Sequence, residues 1–397
     1  MSQPIDLILT LTGGLAAALA FGYCTERLKL SPIVGYLLAG IAIGPFTPGY
    51  VADTHIAQQF SEVGVVLLMF GVGLHFDVSD LVAVRKIAVP GAIVQSVVAT
   101  LLGAVVVHMF GWDWRAGFVF GIAISVASTV VLTRVLADNR ELETPAGHVA
   151  VGWLIVEDLL TVLVLVVLPL ATGPEGEGLL WPLARAVLEI AALFALVFVV
   201  GKRLVPWLLA QVERTGSREL FTLAVLVIAL GIAVTSAIVF HVSMALGAFL
   251  AGMVVRQSEL SERAALEALP LRDAFSVLFF VSVGMLFDPA QLFAHLPLTL
   301  ATLAVVLFGK PLAALAVVLA LRKPTRTALI VSIALAQVGE FSFMVATLGR
   351  DLGVLPPEAM QVLVVVSIVS ITLDTVVFRL ARSSMPSRAE PHAVVSP

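Results

Sequence analysis

The sequence predicts an all-α polytopic membrane protein, with about thirteen transmembrane helices arranged as an inverted-topology repeat. Three observations predict it. Of the 397 residues, 60% are hydrophobic and 13% charged, with mean hydropathy +1.07, whereas soluble domains carry roughly 25% charged residues. The apolar residues gather into about thirteen runs joined by short polar connections, and about 20 helical residues cross the roughly 30 Å of hydrocarbon in a bilayer. Finally, part of the chain recurs 211 positions further on, where Ser276 takes the place of Val65.

The segments follow in order. The first, 5–24, is preceded by no basic n-region, so it is expected to be retained rather than cleaved. It contains the single cysteine, Cys24, which leaves no disulfide framework or cysteine-based metal site. The next, 31–45, is short for a full crossing and implies tilt or local thinning; 56–75 and 87–110 are of ordinary length. Segment 116–136 has a polar centre, Ser125, Ser128 and Thr129, and 147–171 carries two adjacent acids, Glu157 and Asp158, near its midpoint. Segments 180–204 and 219–240 are plain, and 242–255 is short again. After 268–287, segment 296–321 places Lys310 near its centre, beside Pro311, which should loosen the local hydrogen-bond ladder. Segment 326–348 has Gln337, Gly339 and Glu340 at its centre, and 359–380 ends the series with Asp374 and Arg379, expected to pair.

Charge sets the orientation. With the N-terminus outside, 19 of the 23 Lys and Arg residues fall on the inner side, all but Arg115, Arg185, Arg350 and the intramembrane Lys310. That bias supports an odd number of crossings, an outside N-terminus and a cytoplasmic C-terminus. The net charge of −4, with its basic residues in short loops, gives no sign of a nucleic-acid partner.

The repeat aligns VVLLMFGVGLHFD (65–77) with SVLFFVSVGMLFD (276–288), sharing Gly73/Gly284 and Asp77/Asp288; LLAG (37–40) matches Phe249 to Gly252. The spacing covers seven segments, an odd number, so the copies insert in opposite senses, roughly as 31–171 and 242–380. Inverted repeats mark transporters whose site lies at the midplane between the copies. The polar centres around Ser128 and Gln337 are repeat equivalents, and interrupted helices at equivalent positions point to the transport site, where half-helix ends place dipoles and bare carbonyls.

A carboxylate at the midplane costs several kcal/mol unless it has a partner or a wet cavity, so Glu157 and Asp158 read as an ion or proton path. They lie about 100° apart around their helix and cannot face the same way. Two close carboxylates resist double ionisation and titrate as a pair. Lys310 is the expected counter-charge. The His55, His75, His241 and His295 side chains read as interfacial, His148 as a solvated group able to sense pH, and Glu62 as a solvated helix-end acid.

These residues resemble a known family. GYLLAGIAIGP (35–45), VLLMFGVGLHFD, ASTVVLTRVL (127–136), the VED triplet before Leu159, LGAFLAGMVV (246–255), FFVSVGMLFD and QVGEFSFM stand in the order seen in the monovalent cation:proton antiporter-2 family, and are most similar to Kef-type and YbaL-like bacterial members of the sodium/hydrogen exchanger superfamily. The resemblance covers about residues 5–380. It implies an NhaA-like fold in which a core domain holds two broken helices crossing at midplane, a separate dimerisation domain and a homodimer in the bacterial cytoplasmic membrane, and exchange of Na⁺ or K⁺ for H⁺. By the same resemblance Asp158 matches the ion- and proton-binding aspartate, Glu157 the variable preceding position, Lys310 the basic residue that pairs with it, and Ser128, Thr129, Gln337 and Glu340 the crossover. Glu157 departs from the Asp-Asp and Gln-Asp pairs of other branches, which leaves the charge stoichiometry open. Kef-type chains continue into a nucleotide-binding regulatory domain; here 381–397 is a short polar tail and no G-x-G-x-x-G occurs, so no nucleotide is expected. No cofactor is expected either, only the transported ions.

The expected activity is therefore antiport rather than catalysis, with Asp158 taking an alkali cation among oxygen ligands or a proton. The alternatives are a cation channel or channel-like K⁺ efflux protein, and a sodium-coupled organic anion carrier. An intramembrane protease would need aspartates on separate helices.

Overall fold

The computed structural model describes residues 3–75, 78–142, 144–171, 188–189, 191–240, 244–291 and 293–384. The expectations for Asp77, Arg185, His241 and most of the tail lie outside the described residues. Every regular element described is helical.

Helices α1 (Gln3–Arg27) and α2 (Pro32–Ile43) are joined by a tight turn whose Ser31 side chain accepts from Ile33 N, with Pro32 at the first helical position, where a missing N–H costs nothing. Then come α3 (Thr54–His75), α4 (Val78–Met109), α5 (Trp114–Ser125), α6 (Thr129–Asp138), α7 (Pro145–Ala171), α8 (Ala191–Glu213) and α9 (Arg218–Phe240). The second half contains α10 (Met244–Arg256), α11 (Ser261–Met285), α12 (Leu296–Ala320), α13 (Thr325–Ala334), α14 (Glu340–Asp351) and α15 (Glu358–Ser384). Nine of the described helices, α1, α3, α4, α7, α8, α9, α11, α12 and α15, are long and apolar enough to cross a membrane; α2, α5, α10 and α13 are shorter apolar helices.

Three expectations shift. Segment 87–110 begins earlier, at Val78, so Arg85 and Lys86 are helical rather than loop residues. Segment 180–204 was bounded at its basic pair, yet α8 runs on through Lys202 and Arg203 to Glu213, with a π-helical turn at Leu196–Gly201. Both basic side chains are exposed, and their long stems allow them to sit on a helix while the charge stays in polar surroundings. Lys202 and Arg203 are therefore helical, not loop, residues. Segment 268–287 begins earlier, at Ser261, because Leu266 and its neighbours continue the helix beyond the purely apolar stretch.

The helices form two neighbourhoods. In one, α3 lies against α10 and α11, and α2 against α1 and α11; in the other, α4 packs on α5, α7 and α12, and α14 packs on α5 and α7. Glycine sets the closest approaches in the first. A Cβ on Gly40 of α2 would strike the Val281 carbonyl of α11, and one on Gly284 of α11 would strike the Leu37 carbonyl of α2. The same exchange joins Gly73 of α3 to Phe249 of α10 and Gly252 of α10 to Phe70 of α3. In lipid, helices associate by packing rather than by expulsion of water, so small residues that admit a neighbouring backbone carry the contact. The glycines that align in sequence, Gly40 with Gly252 and Gly73 with Gly284, therefore meet crosswise, Gly40 against Gly284 and Gly73 against Gly252.

Candidate functional site

Both polar-centred segments are interrupted. After α5 the chain is extended at Val126, with φ −90° and ψ 131°, and Ser128 caps α6 by accepting from Val131 N at 3.2 Å. After α13, residues 335–339 leave the helix, and Gly339, at φ −105° and ψ −177°, leads into α14. The two interruptions touch. Ser128 N donates to Gln337 Oε1 at 3.0 Å and Gln337 Nε2 donates back to Ser128 O at 3.1 Å; Gly339 N donates to Val126 O at 3.2 Å, and Ser342 Oγ to the same carbonyl at 3.3 Å. A Cβ on Gly339 would lie 2.6 Å from Ala127 C and O and from Ser128 N. Glycine is required here by the crossing chain, since its backbone angles suit any residue.

Unwound backbone inside a membrane protein must find partners for its freed N–H and C=O groups. Four neighbouring helices supply them in corresponding ways. Gln95 of α4 donates to Ser125 O at 3.0 Å, and Trp153 Nε1 holds that amide from α7, also at 3.0 Å. Lys310 of α12 donates to Gln337 O at 3.0 Å. On the acceptor side, Glu157 Oε2 of α7 takes Ala127 N at 3.0 Å, and Ser370 Oγ of α15 takes Val338 N at 3.3 Å. Ala127 and Val338 are 211 residues apart, the sequence spacing of the repeat.

Asp158 points elsewhere. Its Oδ2 accepts from Thr129 Oγ1, at the first turn of α6, at 3.0 Å. Its Oδ1 is buried with no hydrogen-bond partner, as are Glu157 Oε1 and Glu340 Oε2. The three acids are 4%, 1% and 2% exposed. A buried carboxylate oxygen without a donor costs about 1–3 kcal/mol, and more if ionised, so three of them around one crossing make a site that is incomplete without a cation or a proton. Glu340 lies in the first turn of α14, where the helix dipole favours its charge.

Each expected residue can now be placed. Asp158, Glu157, Ser128, Thr129, Gln337 and Glu340 all meet at the crossing. Ser125 is buried there too, but its hydroxyl donates to Ile122 O at 2.8 Å within its own helix. Lys310 is the buried cation whose charge acts on Glu157, as expected of a counter-charge, but it is not bonded to it. It is fully buried and lies within Coulombic reach of Glu157 and Asp374, yet its ammonium bonds the Gln337 carbonyl while Glu157 Oε1 stays without a partner. The turn before Lys310, Val305–Gly309, is π-helical, consistent with the donor lost at Pro311. The expected Asp374–Arg379 pair is not formed: both Asp374 oxygens are buried without a hydrogen-bond partner, and Arg379 reaches the Lys29 carbonyl at 3.4 Å. Five residues separate the two, which sets them about 140° apart around a helix. Sequence reading passed over Gln95 and Ser370. Gln95, a lone amide within an apolar segment, was the signal available for the first.

A cavity of about 590 Å³ runs between the two neighbourhoods from the end of the bundle marked by Thr54 and Asp351. It is lined by His55, Glu62, Arg350 and Asp351 near its mouth and by Leu165, Phe279 and Met344 deeper in. Leu165 is seven residues along α7 from Asp158, about 10 Å at 1.5 Å per residue, so the cavity stops short of the crossing.

Residues 14–381 match the family described as sodium/hydrogen exchanger, transmembrane. The chain belongs to this family. Among relatives of this exchanger, a protein of Escherichia coli described as a cation/proton antiporter, YbaL, is 51% identical over 386 residues, which are 96% of this chain and 69% of that one. K(+) efflux antiporter 4 of Arabidopsis thaliana is 28% identical over 94% of this chain and 63% of its own length. The sodium proton antiporter MjNhaP1 of Methanocaldococcus jannaschii superposes with a TM-score of 0.70 over 97% of this chain and 98% of that one, at 18% identity, a likeness of fold.

Proposed function

We propose that this exchanger carries a monovalent alkali cation, Na⁺ or K⁺, in one direction and H⁺ in the other through a single carboxylate, Asp158. The observation that carries the proposal is its position: buried at the crossing, with one oxygen held by Thr129 and the other lacking any donor. Hard cations take oxygen ligands, and the Thr129 hydroxyl and the Glu340 carboxylate lie beside it as further candidates. A proton on the free oxygen removes the charge that binds the cation, so the two ligands exclude one another.

The cycle we infer is alternating access by two inverted repeats, α2–α7 and α10–α15. The spacing of the glycine contacts and of the paired backbone donors supports it, as does a cavity that approaches the acids, its lining Met344 four residues, about 6 Å, along α14 from Glu340. We further propose, from the family resemblance, a homodimer in the cytoplasmic membrane and, on the strength of the charge bias, an N-terminus outside and a C-terminus inside.

Exclusive binding has a measurable consequence. The cation concentration for half-maximal exchange should rise by about tenfold for each pH unit lowered once protons occupy most sites, as linkage requires of a one-for-one competition. Asp158→Asn in everted vesicles should abolish the cation-driven dequenching of a pH-sensitive dye; wild-type exchange in that variant rejects the proposal. Proteoliposomes given Na⁺, K⁺ and Li⁺ in turn identify the cation, and a steady current at equal pH on both sides would favour a channel instead.

A further inference from the structure

The neighbouring acid, Glu157, opens onto a second and separate space. A groove of about 390 Å³ runs along the outer surface of α4, α5 and α7 and ends on Glu157. Its walls include Val97, Leu101, Phe118 and Leu163, all exposed on the outer face of the bundle, where an apolar belt meets lipid. The groove does not include Asp158, which faces the crossing instead. The adjacent acids therefore look into different media, as residues about 100° apart around one helix must.

At the end of this apolar groove sits a buried carboxylate with one oxygen, Oε2, on Ala127 N and the other, Oε1, without a donor. Lys310, the cation within reach, donates its hydrogen bond to the Gln337 carbonyl rather than to this oxygen. The site thus combines apolar walls of ligand-pocket size with one carboxylate oxygen that no donor fills. We infer that the groove is a binding site, entered from the bilayer, for a lipophilic ammonium ion, whose alkyl chain lies between α4, α5 and α7 and whose head group meets Glu157. An ammonium supplies the missing donor as a charge-assisted hydrogen bond, about twice as strong as an alcohol's, and a hydrocarbon supplies none.

A carboxyl reagent that partitions into the membrane reports on this site independently of transport. Dicyclohexylcarbodiimide takes the carboxyl proton onto one nitrogen while the carboxyl oxygen bonds its central carbon; the acyl group then migrates from oxygen to nitrogen, giving a stable N-acylurea with no leaving group. In proteoliposomes, peptide mass spectrometry should find the adduct on Glu157 and not on Asp158. Dodecylammonium at low mole fraction should slow labelling by about tenfold, the effect of roughly 1.4 kcal/mol of binding, at levels where dodecanol has no effect. Val97→Trp, which fills the groove from its exposed wall, should slow labelling similarly while cation exchange continues. Labelling of Asp158 instead, absence of adduct on Glu157, or equal protection by dodecanol overturns the inference. Loss of exchange in Asp158→Asn bears on the transport proposal alone.

Discussion

Lys310 answers the charge of Glu157 while its hydrogen bond goes to the backbone. A lysine in the middle of an apolar segment announces itself, and an acid on another helix is its obvious mate. What decides the contact is the carbonyl of Gln337, freed because the chain there is no longer helical. Lys310→Met would strand that carbonyl and leave Glu157 and Asp374 without their cation. We expect a loss of about 3–5 kcal/mol, the range for breaking a buried charge arrangement on one side, seen as a lowered unfolding temperature in detergent. A double-mutant cycle with Asp374→Asn should give a coupling of about 0.5–3 kcal/mol; simple additivity would show that Asp374 does not feel the lysine. Gln337→Leu removes both bonds to the Ser128 backbone, and a fall of about 2–4 kcal/mol is expected from two buried groups left unpaired. Asp158 and Glu157 were conspicuous from the cost of their burial alone, whereas the split between their partners, Thr129 for one and the Ala127 backbone for the other, required the neighbouring chain.

At the scale of elements, the two interrupted helices stabilise each other. Neither segment contains a central proline, so the interruption has no single breaking residue; Ser128, Gly339 and Gln337 act together. Ser128 caps a new helix, Gly339 lets the other chain pass within contact, and Gln337 bonds across. Gly339→Ala should separate the strands of the crossing, with a cost of about 1–3 kcal/mol for forced overpacking and loss of exchange in vesicles. Retention of full exchange would mean that the crossing tolerates an added methyl group. Sequence reading located both breaks because polar residues cluster there at one repeat spacing, but it set the end of α8 too early. A hydropathy run ends at the first charged pair, while a helix with a lipid-facing side continues past it.

Across the whole molecule, the openings lie at opposite ends. The 590 Å³ cavity enters beside Thr54 and Asp351. At the other end, Arg134 of α6 holds both oxygens of Glu26 of α1, at 2.6 and 2.5 Å, between the two helix neighbourhoods. The pair is partly exposed, 37% and 50%, so its worth is about 0–1 kcal/mol, enough to bias a moving equilibrium and too little to lock it. Glu26→Gln should leave the unfolding temperature nearly unchanged. In a Cys24→Ser background, an Asp138→Cys reporter should then react faster, by less than about tenfold, with a membrane-impermeant maleimide; an unchanged rate would show that the pair does not hold that end closed. The sequence by itself determined that this is a membrane protein, where its apolar segments lie, that two of them break, and which acids pay for burial, because hydropathy and charge are properties of single residues and short runs; one helix start that it set at 87 lies at Val78. The tertiary structure decided the partners: Lys310 on a carbonyl, Gln95 and Ser370 completing the breaks, Asp374 apart from Arg379, and Glu157 on the Ala127 backbone. A hydrogen bond depends on angles and distances of a few ångströms between segments 30 to 209 residues apart, and no periodicity within a segment records them.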